Sequence, residues 1–238
     1  LLPVAIGSDT GGSVRIPAAF NGVVGFKTSH GRIDATGVVP LSRTLDTIGP
    51  LARSVEDCLL ADMVLRGAVT TPIRRGEPGK ISVLVPTNVV LDIAEPQVAG
   101  NFERSLEALA RAGVKVRRER VEVLEEVLDM TAHFGTITAA EAYHEYHEII
   151  DSDRVKMIDR RVVSRIMDGK NMSAHALISI YRTRMQLAQK LQAQLGAAYL
   201  AMPTTAITAP EVAPLEADDT LFHKVNLAAL RNTMLGNI

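Results

Sequence analysis

Gly7-Ser8-Asp9-Thr10-Gly11-Gly12-Ser13-Val14-Arg15-Ile16-Pro17 sets a serine on a run of small residues. The apolar stretch before it, Leu1 to Ile6, reads as a short buried strand, and Pro17 suits the first turn of a helix. Gly11 and Gly12 permit backbone conformations that other residues resist, and they let a ligand approach the main chain closely. A serine between strand and helix, flanked by free N–H groups, has the makings of an acyl-transfer nucleophile with its own oxyanion site. On spacing alone the plainer reading is preferred, a glycine-rich turn that changes chain direction. Two other readings fail on pattern. A phosphate loop needs Gly-Lys before its Ser/Thr, and Ser13 follows Gly12. The hydrolase elbow needs glycine two residues to either side of the serine; Gly11 meets this and Arg15 does not.

Residues 7 to 27, ending Ala18-Ala19-Phe20-Asn21-Gly22-Val23-Val24-Gly25-Phe26-Lys27, resemble the core of the amidase signature family. The likeness continues through Gly31-Arg32-Ile33, Gly37-Val38-Val39-Pro40 and the run from Leu45 to Asp57. Weaker echoes follow at Glu141-Ala142-Tyr143-His144, at Pro203-Thr204-Thr205, and at Arg231-Asn232-Thr233 with Asn237. The resemblance implies amide hydrolysis or transamidation by a serine–serine–lysine triad, with Ser13 at the nucleophile's place. The backbone N–H groups of Thr10, Gly11, Gly12 and Ser13 would then form the oxyanion hole. It also implies a small-molecule amide substrate and no cofactor, with a homo-oligomer or a partner subunit both open. The bridging serine and the lysine of the triad lie N-terminal to the nucleophile in that family. The twelve residues before Ser13 contain no lysine. Ser8 falls in the wrong motif for the bridge, and Lys27 matches a structural Gly-x-Lys segment. The expectation is therefore an internal piece of a longer amidase, inactive or nearly so alone, because an unassisted serine hydroxyl is a weak nucleophile. The amide-hydrolysing component of a glutamine-dependent tRNA amidotransferase is the main rival. A noncatalytic binding module is the reading from outside the enzymes.

Asp9 and Arg15 are expected to form a local ion pair that supports the loop, in preference to an arginine reaching a substrate carboxylate. Glu141, His144, His147 and Glu148 share helical spacing, but the order is not His-Glu-x-x-His, and no second Glu-x-x-His completes a di-iron set. A closed metal centre needs three or four ligands. A polar helix face is expected instead of a metal site, with His144, Pro203 and Thr204 as candidate pocket lining.

Composition agrees with a globular α/β chain. Of 238 residues, 47% are hydrophobic and 22% charged, enough to bury a substantial core. A net charge of −1 gives no reason to propose nucleic acid or a charged membrane as a partner. No apolar run reaches membrane-span length and no leader is visible, so a cytoplasmic location is expected. Cys58 is the one cysteine and reads as a buried thiol.

The fold expected is α/β, a mixed twisted sheet flanked by helices, resembling a partial amidase signature fold. Residues 1–67 would hold the nucleophile loop and core, 80–121 a strand–helix–strand unit, 122–196 a helical layer, and 197–238 a return to the core. Ser54 and Asp57 have capping-box spacing for a helix running to Leu65, with Gly67 as its stop. Residues 68–80 read as a loop. Ile81 to Val85 reads as a buried strand, and Pro96 opens a helix on Val98, Phe102, Leu106 and Leu109 that ends at Gly113. Val114 and Val116 start a parallel strand, with Val121 at its end. Helices are expected over Ile137–Ile150, Val155–Met167 and from Ser173 through Leu195, then a short strand Tyr199–Met202. Phe20, Phe26 and Phe134 are expected in the core, and the Arg74-Arg75 and Arg117-Arg118 pairs on the surface.

Overall fold

The computed structural model describes residues 2–68 and 72–238. The chain is α/β, and among these residues its strands form two three-stranded sheets flanked by helices. The first is antiparallel, in the order β1 (Val4–Asp9), β3 (Thr47–Ala52), β2 (Val24–Gly25). The second is parallel, in the order β5 (Lys115–Glu119), β4 (Ser82–Pro86), β6 (Tyr199–Leu200). The expected strand–helix–strand unit is β4, α3 (Pro96–Arg111) and β5.

The opening strand differs from the expectation. It begins at Val4, runs into the motif as far as Asp9, and is an edge strand with Ile6 59% exposed. The buried strand of this sheet is β3, whose register pairs Asp9 with Thr47 and Val4 with Ala52. Gly49 is required there, because a Cβ would stand 2.0 Å from the Phe26 carbonyl oxygen. Helix α2 (Val55–Leu65) packs on this sheet and buries Cys58 with its Sγ 3.6 Å from the Val24 carbonyl oxygen. Burial raises the Cys58 thiol pKa. Of the loop expected over 68–80, residues 69–71 lie outside the described residues, and Pro78–Lys80 form one 3₁₀ turn.

The main apolar core lies under the parallel sheet. Leu84, Val121, Val123, Leu124, Val127 and Leu187 pack there, joining β4 to α4 (Glu122–Phe134) and α7 (Ala174–Leu195). Val89, at φ 67°, is in the left-handed region, which a β-branched residue enters only under strain. Its buried side chain and the Arg231 guanidinium on its carbonyl hold it there. Helix α5 (Ile137–Ile150) matches the expected range. The helix expected over Val155–Met167 is broken instead into a 3₁₀ segment, Asp153–Met157, and α6 (Arg160–Met167). Asp159 starts α6 by accepting the Arg161 N–H at 2.8 Å, so the side chain that caps one helix cuts the longer one. Val121 is the cap of α4 and not a strand residue. After the short α8 (Val212–Ala217), the chain ends in α9 (Asp219–Leu235), a helix no sequence pattern announced. Phe20, Phe26 and Phe134 are half-buried. Arg75, Arg117 and Arg118 form surface ion pairs with Glu56, Glu119 and Glu103. No described helix is long and apolar enough to cross a membrane.

Candidate active site

The loop Thr10–Val14 joins β1 to the seven-residue helix α1 (Arg15–Asn21). Its shape is set by Asp9, whose side chain is fully buried. One carboxylate oxygen accepts the N–H groups of Val14 and Arg15, both at 3.2 Å, and Arg15 Nε at 3.0 Å; the other accepts Arg15 Nη2 at 3.0 Å. The loop is thus pulled back on itself. With those two N–H groups engaged by Asp9, the ones at Thr10, Gly11, Gly12 and Ser13 meet no backbone or side-chain acceptor among the described residues. Ser13 is exposed while Val14 beneath it is fully buried. Gly12 has φ 152°, and a Cβ there would stand 2.5 Å from Ile16 Cδ1 and 2.6 Å from Thr233 Oγ1. Only glycine fits.

Residues distant in sequence fix the loop from outside. Arg15 Nη1 donates to the Thr233 carbonyl at 3.0 Å, tying the loop to α9. Asn237 Nδ2 donates to the Thr10 carbonyl at 3.0 Å, and the Thr10 hydroxyl donates to Asp46. Asp46 also accepts the N–H groups of Leu41 and Ser42 at 2.8 and 3.0 Å. Lys27 Nζ lies 3.6 Å from the Asp9 carboxylate and donates to the Asp9 carbonyl at 2.6 Å and Thr47 Oγ1 at 3.0 Å. Burial raises the Asp9 pKa, but the Arg15 hydrogen bond and the charges of Arg15 and Lys27 more than reverse this, so it lies below its ordinary value. Burial likewise lowers Lys27, opposed by Asp9. Its ammonium is committed to these partners. In the sequence Asp46 and Asn237 stand out only as members of family-like segments; their contacts with Thr10 span 36 and 227 residues, beyond any local pattern.

The other candidates separate. Glu141 points inward to the 42–44 loop, accepting Ser42 Oγ at 2.5 Å, Thr44 Oγ1 at 2.9 Å, and the Tyr181 hydroxyl at 2.8 Å. Burial raises its pKa, but these donors together hold it below its ordinary value. His144, one turn further on, is exposed and stacks on His147 with ring centroids 6.3 Å apart; it lines none of the three described cavities. No group of three or more His, Cys, Asp or Glu side chains among the described residues is placed to hold a metal. Pro203 and Thr204 line two cavities of about 560 and 280 Å³; the smaller reaches Arg15 and Thr233. A larger cavity of about 640 Å³ lies between α4, α7 and α9, and Met234 and Asn237 in its wall abut the Gly11 and Thr10 end of the loop.

An exposed serine on a buried, ion-paired glycine loop, carried by an antiparallel sheet with helices outside, defines the class: an α/β protein with a serine-centred loop. The Amidase family model matches residues 1–237, and the chain belongs to that family. The 2-amino-5-chloromuconic acid deaminase of Comamonas testosteroni is 32% identical over 245 residues, covering 99% of this chain and 51% of the relative. The A-type component of the glutamyl-tRNA(Gln) amidotransferase of Chlamydia abortus is 31% identical over 208 residues, covering 75% of this chain and 42% of the relative. The crystal structure of an amidase superposes with a TM-score of 0.80 at 28% identity, over 98% of this chain and 53% of that one. The chain spans about half the length of the first of these relatives and of the amidase structure.

Proposed function

We propose that the full-length protein hydrolyses the carbon–nitrogen bond of a linear amide through an acyl-enzyme on Ser13. Ser13 Oγ bonds to the amide carbonyl carbon, and the negative charge that develops on the carbonyl oxygen is met by the N–H groups of Thr10 to Ser13. The C–N bond breaks, the nitrogen takes a proton and leaves as ammonia or an amine, and water then cleaves the ester to release the acid and the serine. The observation that carries this is the row of unengaged N–H groups beside an exposed serine, on a loop locked by Asp9. Preorganised donors of this kind contribute about 3 kcal/mol each to lowering such a barrier.

The base is not Lys27, whose ammonium is held by Asp9 and Thr47. No base contacts Ser13 Oγ among the described residues, so we assign activation of Ser13 to groups outside residues 1–238. The 238-residue chain alone is then inactive. A fluorophosphonate probe should label Ser13 in the full-length protein and leave the 238-residue chain unlabelled. Ser13→Ala should lower amide hydrolysis by at least about 10³-fold, as loss of a serine nucleophile does. Full activity in that variant would sink the proposal. The similarity to an amidotransferase component favours a second reading, glutaminase activity within an amidotransferase; glutamine hydrolysis that rises only with a partner protein would select it.

A further inference from the structure

The N–H groups of Thr10, Gly11, Gly12 and Ser13 can meet a developing charge only if they point at it. The residues that carry them do not fix that direction. Gly11 and Gly12 lack a Cβ, so the peptide planes beside them rotate at little steric cost. Each N–H shares a rigid plane with the carbonyl of the residue before it, and in these trans peptides the two point opposite ways. A donor seated on the carbonyl therefore aims the N–H from behind. It also polarises it, because hydrogen bonds running through one amide strengthen each other.

Three of the four planes carry such a donor. The Asp9 carbonyl, behind the Thr10 N–H, accepts from Lys27 Nζ at 2.6 Å and from the Thr47 hydroxyl at 3.1 Å. The Thr10 carbonyl, behind the Gly11 N–H, accepts from Asn237 Nδ2 at 3.0 Å. The Gly12 carbonyl, behind the Ser13 N–H, accepts the Ile16 N–H at 2.7 Å. The Gly11 carbonyl, behind the Gly12 N–H, meets no donor among the described residues.

The Ile16 contact is part of the start of α1, but Lys27 and Asn237 stand 18 and 227 residues from their acceptors. Closing the loop does not require either, because Asp9 already draws it back through the Val14 and Arg15 N–H groups. Lys27 brings a full charge, and a charged donor makes the stronger bond. Asn237 is held on both sides of its own backbone. Its N–H donates to the Met234 carbonyl at 3.0 Å, and its carbonyl accepts from Arg184 Nε at 2.6 Å.

We propose that Asn237 and Lys27 are positioning residues for the reaction. By bonding the Thr10 and Asp9 carbonyls, they aim and polarise the Gly11 and Thr10 N–H groups toward the oxygen of the amide under attack. This role rests on Ser13 being the nucleophile.

The test uses the full-length protein, with amide proton shifts read by NMR and Ser13 labelling by a fluorophosphonate read as kinact and KI. Asn237→Ala should move the Gly11 amide proton upfield and the Gly12 amide proton less. It should lower kinact about 10- to 100-fold, at or below the loss on deleting a whole oxyanion donor, and change KI by less than about 3-fold. Asn237→Asp is nearly the same shape but sets an acceptor against the Thr10 carbonyl, and should lose at least as much. Lys27→Met should shift the Thr10 amide proton and lower kinact, and Lys27→Arg should restore part of both. An unchanged kinact in both Asn237 variants, or Gly11 and Gly12 amide protons that respond alike, overturns the proposal. So does a rise in KI with kinact untouched, which would place Asn237 in ligand binding instead. No label on Ser13 in the unaltered protein, with the Gly11 shift still present in Asn237→Ala, would overturn the proposed reaction and leave the aimed peptide planes standing.

Discussion

The interior beside the β1–β3–β2 sheet holds buried carboxylates, whereas among the described residues the core under the β5–β4–β6 sheet holds none. Asp9 is fully buried between Arg15 and Lys27, whose side chains are 20% and 16% exposed. Asp62, on the helix packed against the same sheet, is buried between Arg32 and Arg66. In β4, by contrast, Val83, Leu84 and Val85 are buried among apolar side chains. Hydrophobic packing tolerates adjustment in direction, while a carboxylate that takes four donors fixes the position of every group it holds. The first sheet thus trades adaptability for a loop of set shape, and the second supplies the bulk of the apolar burial.

The sharpest way to break this contrast is to delete one group from each interior. Asp9→Ala leaves two half-buried cations and two backbone N–H groups without their anion, and should cost about 3–5 kcal/mol, since an orphaned buried charge is expensive. Leu84→Ala should cost about 2–5 kcal/mol through lost burial and a residual cavity. Urea unfolding separates the two when Lys27→Met is added. It should recover part of the Asp9→Ala loss by removing an unpaired cation, and should not relieve Leu84→Ala. An Asp9→Ala cost under about 1 kcal/mol would show that the ion pair does not hold the loop.

Acid should open the two regions unequally. Asp9 and Glu141 have folded pKa values below their ordinary 3.8 and 4.5. Each therefore binds protons more readily unfolded, and its contribution is fully present above the ordinary value and lost as pH falls through the folded one. Among the described residues no carboxylate is buried with the apolar side chains around β4. Hydrogen exchange, corrected for intrinsic rates, should quicken more in β1 and β3 than in β4 between about pH 7 and about pH 3. Equal acceleration in both sheets would remove the distinction.

What could be read from the sequence follows the same division. Continuous apolar character located β4, and Pro96 with the helical spacing of Val98, Phe102, Leu106 and Leu109 located α3, because both signals are local in sequence. Helix α9 escaped because its buried residues include Asn232 and Thr233, which hydrophobic periodicity counts as surface. The Asp9–Arg15 pair was visible because it is local. The contacts of Thr10 with Asp46 and Asn237 were not, since the topology that joins them appears in no window of sequence. His144 and Glu141 lie within one turn of each other, yet one reaches solvent and the other the 42–44 loop. Spacing fixes an approximate face of a helix, and what that face meets is decided by the neighbouring loop.

The smallest effect should be the one that ignores the contrast altogether. Ser54 caps α2 by accepting the Asp57 N–H at 3.1 Å, and Ser173 caps α7 by accepting the Ala176 N–H at 3.0 Å. The first helix lies on the polar-centred sheet and the second on the apolar core, but each cap satisfies one orphan donor at a helix end. Replacing either serine with alanine should cost about 1 kcal/mol, and with glycine only a few tenths. Ser54 also donates to Asp57 at 2.8 Å, so its hydroxyl touches a carboxylate that Ser173 lacks. If Ser54→Ala costs more than about twice Ser173→Ala in urea unfolding, capping on α2 is coupled to the charged groups beneath it. The polar character of the first sheet then extends to the helix ends; equal costs confine it to the buried carboxylates.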